Sequence, residues 1–265
     1  MNTTTHTVST ETVGDVDLTV TGRGEGRSFL LLHGGAGPQS VAGFAELLAG
    51  THPAHVITPT HPGFGLTHRP AGLDNVAGLA SVYVELLDRL ELEDLTIVGN
   101  SIGGWIAAEI ALQWPSRLNA LVLVDAVGIE IPGNPVVDFF SLTLDEVAQL
   151  SYYDPDKYRI DPASMPPAVR EAMPGNRAAL AVYGGTSMTD PSLVGRLDGI
   201  TTPTLVVWGE ADRIVNTDYG RAFAAAIPDA SFHVLSGAGH VPQIETPDEL
   251  ADVVWTFAVA HEEAA

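Results

Sequence analysis

The chain has 265 residues, which is enough for one α/β domain with an insertion and a large core. Its 12 basic and 33 acidic residues give a net charge of −21, and a chain this acidic repels the phosphates of nucleic acids and anionic membranes. The sequence holds no cysteine, which excludes disulfides, thiolate metal sites and a cysteine nucleophile.

The N-terminal stretch, residues 1–12, is polar and rich in threonine. It lacks the basic residues and the apolar run of a secretory signal. No apolar run elsewhere in the chain approaches the length of a membrane span. We therefore expect a cytoplasmic protein that binds neither a membrane nor a nucleic acid.

The first third of the chain predicts strands that alternate with helices. Residues 6–13 and 16–21 are strand-like and flank Gly14-Asp15, which is a hairpin signal. Further elements follow in alternation, at residues 29–32 (strand), 41–48 (helix), 55–59 (strand) and 76–90 (helix). This alternation indicates a mostly parallel sheet that is covered by helices on both faces.

A sharp turn from a strand into a helix is predicted at Gly99-Asn100-Ser101-Ile102-Gly103. The β-branched run at residues 95–98 predicts the strand, and a helical pattern covers residues 106–114. Such a turn holds its serine in a strained conformation with the side chain exposed above the sheet, and glycines on either side avoid collisions. At the positive end of a helix dipole, the Ser101 hydroxyl is well placed to act as a nucleophile.

The alternation is interrupted after a strand predicted at residues 120–124. Prolines divide the following residues into short pieces, and Thr143-Leu144-Asp145-Glu146 has the form of a capping box that opens one short helix. The segment is aromatic and contains methionine, as a lid over an apolar cavity would. We expect a helical cap at residues 132–190, inserted into a core of residues 1–131 and 191–265. An ordinary helical excursion with its own small core is the alternative.

The alternating pattern resumes in the last third of the chain. Strands are predicted at residues 204–208 and 231–235. Helix starts are predicted from their capping residues, at Asp190-Pro191, at Asn216 and at the capping box Thr246-Pro247-Asp248-Glu249.

Four polar side chains fall at the predicted carboxyl ends of strands, namely Ser101, Asp125, Asp212 and His240. In open α/β sheets, ligands bind at that edge. A serine hydroxyl is a poor nucleophile until a base takes its proton, and the base needs an acid that holds its tautomer. The chain order of Ser101, Asp212 and His240 is the order that this arrangement requires.

Five short motifs together resemble those of the α/β-hydrolase family, and the likeness covers nearly the whole chain. They are His33-Gly34-Gly35, Pro62-Gly63-Phe64-Gly65, Gly99-Asn100-Ser101-Ile102-Gly103-Gly104, Gly209-Glu210-Ala211-Asp212 and Gly239-His240. The resemblance implies an α/β fold with a mostly parallel, eight-stranded sheet, helices on both faces and a small helical cap after the sixth strand. It also implies a triad of Ser101 as nucleophile, His240 as general base and Asp212 as orienting acid. Asp125 is the alternative acid, because some family members carry the acid after the preceding strand.

Residues 33–38 are also similar to those of hydrolases that cleave carbon–carbon bonds of vinylogous diketones. That likeness is partial. Those enzymes usually carry a tryptophan after the catalytic histidine, where this chain has Val241. Arg170 and Arg177 are the candidates for their basic cap residue, and the sequence does not decide whether either of them has that role.

A hydrolase of this type needs two donors for the oxyanion, because an unpaired negative oxygen in a dry cleft is costly. The backbone N–H of Ile102 is the first expected donor, and that of Gly35 the second, with Ala36 as its substitute. His33 is expected to hold its own loop through hydrogen bonds. Candidate residues of the substrate pocket are Ala36, Asn100, Phe139, Phe140, Trp105 and Val241. Trp105 has core packing as its alternative, and Asn100 is equally suited to local backbone contacts.

These features predict a cofactor-independent serine hydrolase that acts on a small to medium, largely apolar ester, lactone or thioester. Three alternatives remain open: a carbon–carbon bond hydrolase, a haloperoxidase or perhydrolase, and a small-molecule receptor that retains the triad. No cofactor or metal is predicted. Gly35-Ala36-Gly37 fails as a dinucleotide loop because Ser40 stands at the third glycine position, and His52, His55 and His61 lack metal-ligand spacing. The expected partner is a small-molecule substrate, and the sequence leaves open whether the chain is a monomer or a homodimer.

Overall fold

A computed structural model describes residues 5–92 and 94–261 of the chain, so residues 1–4 of the polar N-terminal stretch lie outside it. Its sheet has eight strands in the order β1-β2-β4-β3-β5-β6-β7-β8. The strands are His6–Val13 (β1), Val16–Arg23 (β2), Arg27–Leu32 (β3), Ala54–Pro59 (β4), Leu95–Asn100 (β5), Leu118–Val124 (β6), Thr204–Gly209 (β7) and Ser231–Leu235 (β8). Strand β2 is antiparallel to β1 and β4, and all other neighbours are parallel.

Helices cover both faces of this sheet. They are Gln39–Thr51 (α1), Val76–Arg89 (α2), Ile102–Gln113 (α3), Leu144–Ser151 (α4), Pro155–Tyr158 (α5), Pro167–Gly184 (α6), Thr217–Ala226 (α7), Pro242–Glu245 (α8) and Pro247–Ala260 (α9). One apolar core lies between the sheet and α2, α3 and α7, and a second lies between the sheet and α1 and α9. The protein therefore has the α/β-hydrolase fold predicted from its motifs. Within the described ranges, no helix is both long and apolar enough to cross a bilayer.

The local turn and cap signals near the sheet are mostly confirmed. Gly14 has a φ of 59° in the tight turn that joins β1 to β2, a conformation that glycine adopts without strain. The side chain of Asn216 accepts the hydrogen bond from Tyr219 N that caps α7. Helix α3 starts at Ile102, directly after Ser101, whereas the sequence pattern showed it only from residue 106.

A helical segment comprising α4, α5 and α6 joins β6 to β7. The capping box at its start is confirmed, because Thr143 and Glu146 exchange side-chain and backbone hydrogen bonds. At its base, Gly128 and Thr189 form an isolated parallel bridge, and Asp190 N donates to Gly128 O at 2.7 Å. The chain therefore leaves the sheet and returns to it at nearly the same point.

Two predicted helix starts are wrong in part. Residues 191–196 form successive turns and no α-helix. The Asp190 carboxylate accepts from Ser192 N as a cap does, but it also binds Arg196 at 3.0 Å, and Arg196 is anchored to the buried Glu109 of α3. This anchor and the low helix propensity of Gly195 keep the chain in turns.

Helix α9 begins at Pro247 as predicted, but the capping box at its start is absent. The side chain of Thr246 accepts no hydrogen bond from the helix, and its buried hydroxyl has no partner among the described residues. Thr246 directly follows α8 and takes φ −132° and ψ 52° at the junction between the two helices. The side-chain caps of α4 and α7, Thr143 and Asn216, have ψ values of 161° and 170°, and Thr246 departs from that cap conformation.

Candidate active site

Ser101 occupies the tight turn between β5 and α3. Its φ of 57° and ψ of −120° are strained for a residue with a side chain. Glycine is required on both sides of it: a Cβ on Gly99 would lie 2.2 Å from Gly103 O, and a Cβ on Gly103 would lie 2.3 Å from Leu32 O. Ser101 N donates to Val124 O of the neighbouring strand at 2.9 Å. The turn therefore lifts the Ser101 hydroxyl above the carboxyl edge of the sheet.

Three side chains that are distant in sequence meet at this edge. His240 Nε2 lies 3.0 Å from Ser101 Oγ, and His240 Nδ1 lies 2.7 Å from Asp212 Oδ2. The other oxygen of Asp212 accepts from Ile214 N at 2.8 Å and from Val215 N at 3.1 Å. Asp212 is buried, so these donors hold an anion in a fixed orientation where water does not screen it. The arrangement can move a proton from the hydroxyl to the imidazole.

The loop that carries His240 is fixed through its backbone. His240 N donates to Ser151 O at the end of α4 at 2.7 Å. Asn100 Nδ2 donates to His240 O at 3.1 Å, and Asn100 Oδ1 accepts from Gln243 Nε2 at 3.3 Å. Of the two predicted roles for Asn100, the structure therefore supports the backbone contacts, which tie the histidine loop to the strand that precedes Ser101.

Asp125, the alternative acid, lies beside Asp212. It is fully buried with a φ of 46°, and its Oδ1 accepts from Gly209 N at 2.9 Å. Burial, and next the negative charge of Asp212, raise the pKa of Asp125 well above its usual value. Asp212 is the carboxylate that contacts His240 Nδ1.

The loop after β3 passes directly over Ser101. A Cβ on Gly34 would lie 3.2 Å from Ser101 Cβ and 2.8 Å from Asn100 Oδ1. Among the described residues, the backbone N–H groups of Gly35 and Ile102 have no acceptor in the chain. Both are therefore free to donate to a bound oxygen. Ala36, the substitute donor, is exposed.

Two buried histidines hold this loop in place. His33 Nε2 accepts from His61 N at 3.1 Å, so the proton of His33 is on Nδ1, which donates to Gly34 O at 2.8 Å. His61 Nε2 donates to His33 O at 2.9 Å, and His61 Nδ1 accepts from the Tyr83 hydroxyl. Burial lowers the pKa of His33 to about 4, and burial together with the proximity of His33 lowers that of His61 well below its usual value. Both rings are neutral near pH 7.

Glu245 of α8 is a buried carboxylate that sequence analysis did not identify. It accepts from Gly239 N at 2.6 Å, from Tyr153 N at 2.9 Å and from Asp154 N at 3.2 Å. It therefore joins the loop before His240 to the helical segment. The sequence carries no local signal for this role, because all three donors are backbone groups and two lie far away along the chain.

The predicted pocket residues are not all brought together. Trp105 is buried and packs against Gly128, where a Cβ would lie 2.7 Å from Trp105 Cγ, so its core alternative fits the structure. The rings of Phe139 and Phe140 contact each other at a tilt of 32°, and Arg177 Nη2 donates to the carbonyl oxygens of both residues, at 3.2 and 2.6 Å. Val241 is partly buried and precedes α8.

Asp125, Asp212 and His240 are the described acidic and histidine residues whose ligand atoms cluster closely enough for a metal ion, within 4.8 Å of one another. His240 Nδ1 and both oxygens of Asp212 already take part in hydrogen bonds, so the donor set is suited to proton transfer rather than to a cation. His52, His55 and His61 form no such cluster in the described ranges.

Comparison with known proteins places this geometry in a family. The model of the alpha/beta hydrolase family matches residues 29–253. A 2-hydroxymuconate semialdehyde hydrolase of Pseudomonas putida is 31% identical over 89% of this chain and 88% of its own. A 2-hydroxy-6-oxo-6-phenylhexa-2,4-dienoate hydrolase of Comamonas testosteroni is 30% identical over 85% of each chain.

Solved structures with the same fold include proteins of several activities. A meta-cleavage product hydrolase of Pseudomonas fluorescens aligns with a TM-score of 0.76 at 22% identity, over 96% of this chain and 98% of its own. A thermophilic esterase of Thermogutta terrifontis aligns with a TM-score of 0.75 at 23% identity, over 98% of this chain and 99% of its own. At these identities, the likeness shows the fold and does not distinguish between activities.

Proposed function

The chain belongs to the alpha/beta hydrolase family, and we propose that Ser101 is its nucleophile, His240 its general base and Asp212 its orienting acid. One observation carries this proposal: an unbroken line of hydrogen bonds runs from Asp212 through His240 to the Ser101 hydroxyl, at 2.7 and 3.0 Å. These distances are within the range in which a base can take the proton of a nucleophile.

In the proposed reaction, Ser101 Oγ attacks the substrate carbonyl while its proton passes to His240 Nε2. The N–H groups of Gly35 and Ile102 stabilise the oxyanion that forms. His240 then gives the proton to the leaving group, which leaves an acyl group on Ser101. Water attacks that acyl group, with His240 again as the base, and the acid product and free Ser101 result. Asp212 keeps the His240 tautomer correct and stabilises the imidazolium.

We propose a small to medium, largely apolar ester, lactone or thioester as the substrate. The helical segment at residues 132–190 is proposed to be the cap over the substrate. Leu180 of α6 supports this placement, because its Cδ2 lies 2.6 Å from the position of a Cβ on Gly35. An apolar side chain at that place favours an apolar group beside the reacting carbonyl.

Carbon–carbon bond cleavage is the second candidate, and the names of the relatives at 30 and 31% identity favour it. A dienoate substrate is an anion and needs a cationic partner. Arg177 already donates to the carbonyls of Phe139 and Phe140, and Arg170 is exposed. The chain also has Val241 where those hydrolases commonly carry a tryptophan after the histidine. Because neither arginine offers a buried, unpaired cation and that tryptophan is absent, we favour ester cleavage over carbon–carbon bond cleavage.

Labelling with a fluorophosphonate probe tests the role of Ser101. We expect stoichiometric labelling of the native protein at Ser101, and loss of both labelling and turnover in Ser101→Ala. Ser81→Ala is the matched control, since Ser81 is an exposed serine of α2. Folded protein that remains unlabelled would contradict the proposed nucleophile.

A comparison of substrates separates the two candidates. Short-chain nitrophenyl esters and a 2-hydroxy-6-oxo-dienoate are compared by kcat/KM with the same enzyme. Ester cleavage predicts the higher value for the esters. A dienoate value well above all the ester values would instead establish carbon–carbon bond cleavage.

A further inference from the structure

Two carboxyl groups lie side by side under His240, at the ends of adjacent strands. Asp125 follows β6 and Asp212 follows β7, and Asp125 N donates to Val207 O of β7 at 3.0 Å. Asp125 is fully buried and Asp212 is only 3% exposed. Oxygen atoms of both lie within 4.8 Å of each other and of a ring nitrogen of His240.

The hydrogen bonds of the two groups are unequal. Asp212 accepts from two backbone N–H groups through Oδ1 and from the His240 ring through Oδ2. Asp125 accepts a single N–H, that of Gly209, through Oδ1. Its Oδ2 is buried and has no donor among the described residues. A charged oxygen in that position would be desolvated without compensation.

We propose that Asp125 is a neutral carboxylic acid whose Oδ2–H donates a hydrogen bond to the Asp212 carboxylate. Two anions cannot share a hydrogen bond, and one proton removes both the repulsion and the unpaired oxygen. The proton belongs on Asp125 because Asp212 has three donors that stabilise its charge. Asp125 is then a positioning residue that holds Asp212 against His240, and it is not a second acid that competes for the imidazole.

The charges around Asp125 also favour its neutral form. The titratable groups that face Asp125 are Asp212, His240 and Glu245, and the two carboxylates among them both raise its pKa. Burial is the larger cause. Since the folded pKa is raised, the folded state binds a proton that the unfolded state releases, and the resulting stabilisation is lost as the pH rises above the ordinary aspartate value.

Asp125→Asn tests the protonation state without relying on catalysis. Asparagine can donate through Nδ2 to Asp212, accept from Gly209 N, and adopt the positive φ. We expect an infrared band of a protonated carboxyl group at pH 7 in the wild type that is missing from Asp125→Asn. We also expect the ratio of unfolding constants, wild type over variant, to rise about ten-fold per pH unit above the ordinary aspartate pKa. Asp229→Asn, an exposed aspartate that also has a positive φ of 55°, is the control and should change neither.

A ratio that does not change with pH, a protonated band that survives in Asp125→Asn, or failure of this variant to fold would overturn the proposal. Turnover supplies a second arm, which rests on the proposed function. Asp125→Asn keeps a donor to Asp212 and should lose less kcat than Asp125→Ala, which removes that donor, whereas Asp212→Asn should lose about 10³-fold or more. The reverse order would overturn the assignment of the proton to Asp125. If the wild type has no hydrolytic activity, the proposed function fails, while the infrared and unfolding measurements still decide the state of Asp125.

Discussion

Ser101 lies between two regions that are stabilised in opposite ways. On the base side, the buried carboxyl groups of Asp125, Asp212 and Glu245 surround the His240 loop. On the donor side, the buried rings of His33 and His61 hold the glycine loop, and both rings are neutral near pH 7. With Asp125 neutral as proposed, the carboxylates of Asp212 and Glu245 concentrate negative charge where an imidazolium would form. It is kept away from the N–H groups that would meet an oxyanion.

The helical segment is attached differently to the two sides. Toward the base side the segment contributes backbone groups: Ser151 O accepts from His240 N, and Tyr153 N donates to the Glu245 carboxylate. Toward the donor side its contacts are side chains of α6, where Leu180 covers Gly35 and the Tyr183 hydroxyl donates to Pro62 O at 3.0 Å. Side-chain contacts adjust more easily than backbone bonds. We therefore expect α6 to shift more readily than α4, within the limits set by Asn176, which donates to Ala36 O and accepts from Gly65 N.

Acidification should produce the largest change in stability, and it should come from the donor side. His33 has a folded pKa of about 4, below its unfolded value of 6.5, so its contribution to stability is complete above pH 6.5 and is lost as the pH falls toward 4. Over that range the loss amounts to about 3 kcal/mol for His33 alone. The measurement is the difference in unfolding free energy between wild type and His33→Asn at pH 7 and at pH 4. Taking the difference cancels the contribution of Asp125, which has the opposite sign in the same pH range and is present in both proteins.

His68→Gln serves as the control for this experiment, because His68 is an exposed histidine. It should leave the pH dependence of unfolding as it is in the wild type. A wild-type advantage over His33→Asn that is the same at both pH values would show that the pKa of His33 is not lowered in the folded state. The donor side would then become charged as soon as the pH falls below 6.5, and the comparison between the two sides would fail.

The sequence predicted more of the base side than of the donor side. Apolar runs predicted the strands, and Ser101, Asp212 and His240 directly follow three of them. Because parallel strands bring their carboxyl ends to one edge of a sheet, these residues were expected to meet there. The catalytic roles of these residues stay predictions. Only one member of the His33–His61 pair was predicted. The sequence indicated that His33 holds its own loop, but it has no local pattern that identifies His61, 28 residues away, as the partner of His33.

Where local signals failed, long-range contacts decided the outcome. Asp190-Pro191 has the form of a helix start, but Arg196 is bound to Glu109, which lies in a different part of the chain. Thr246 has the form of a capping residue, but the short helix α8 directly before it fixes its backbone. Glu245 could not be predicted, since its partners are backbone N–H groups that do not depend on residue type. Capping rules describe neighbours in sequence, whereas these positions are governed by neighbours in space.

Removal of the Glu245 charge should produce the second largest change, this time on the base side. In Glu245→Gln, an NH₂ group replaces one of the oxygens that accept from Gly239 N and Tyr153 N, so a donor faces a donor in a buried position. We expect a loss of about 2 kcal/mol of stability, measured by denaturant unfolding. Glu210→Gln is the matched control: Glu210 also accepts a backbone N–H, that of Gly237, but it is exposed, so its loss should stay within about 0.5 kcal/mol. Equal losses of stability in the two variants would mean that the burial of Glu245 adds nothing to the strength of its hydrogen bonds. The base side would then be held no more firmly than the loop at Gly237, which the exposed Glu210 binds.

The smallest effect should come from methyl groups added to the glycine loop, and it distinguishes the fixed from the adjustable part of the donor side. A Cβ on Gly34 meets the side chain of Asn100 and Ser101 Cβ, both of which are held by the strand below, so Gly34→Ala should lower kcat about ten-fold. A Cβ on Gly35 meets the side chain of Leu180, whose terminal Cδ2 lies nearest at 2.6 Å and can rotate away, so Gly35→Ala should change KM more than kcat. Steady-state kinetics on a nitrophenyl ester, with the rate of fluorophosphonate labelling as a second measure of Ser101, separates the two outcomes. If Gly35→Ala is instead the more damaging variant, Leu180 is not free to move, and α6 is fixed as firmly over the donor side as α4 is fixed to the base side.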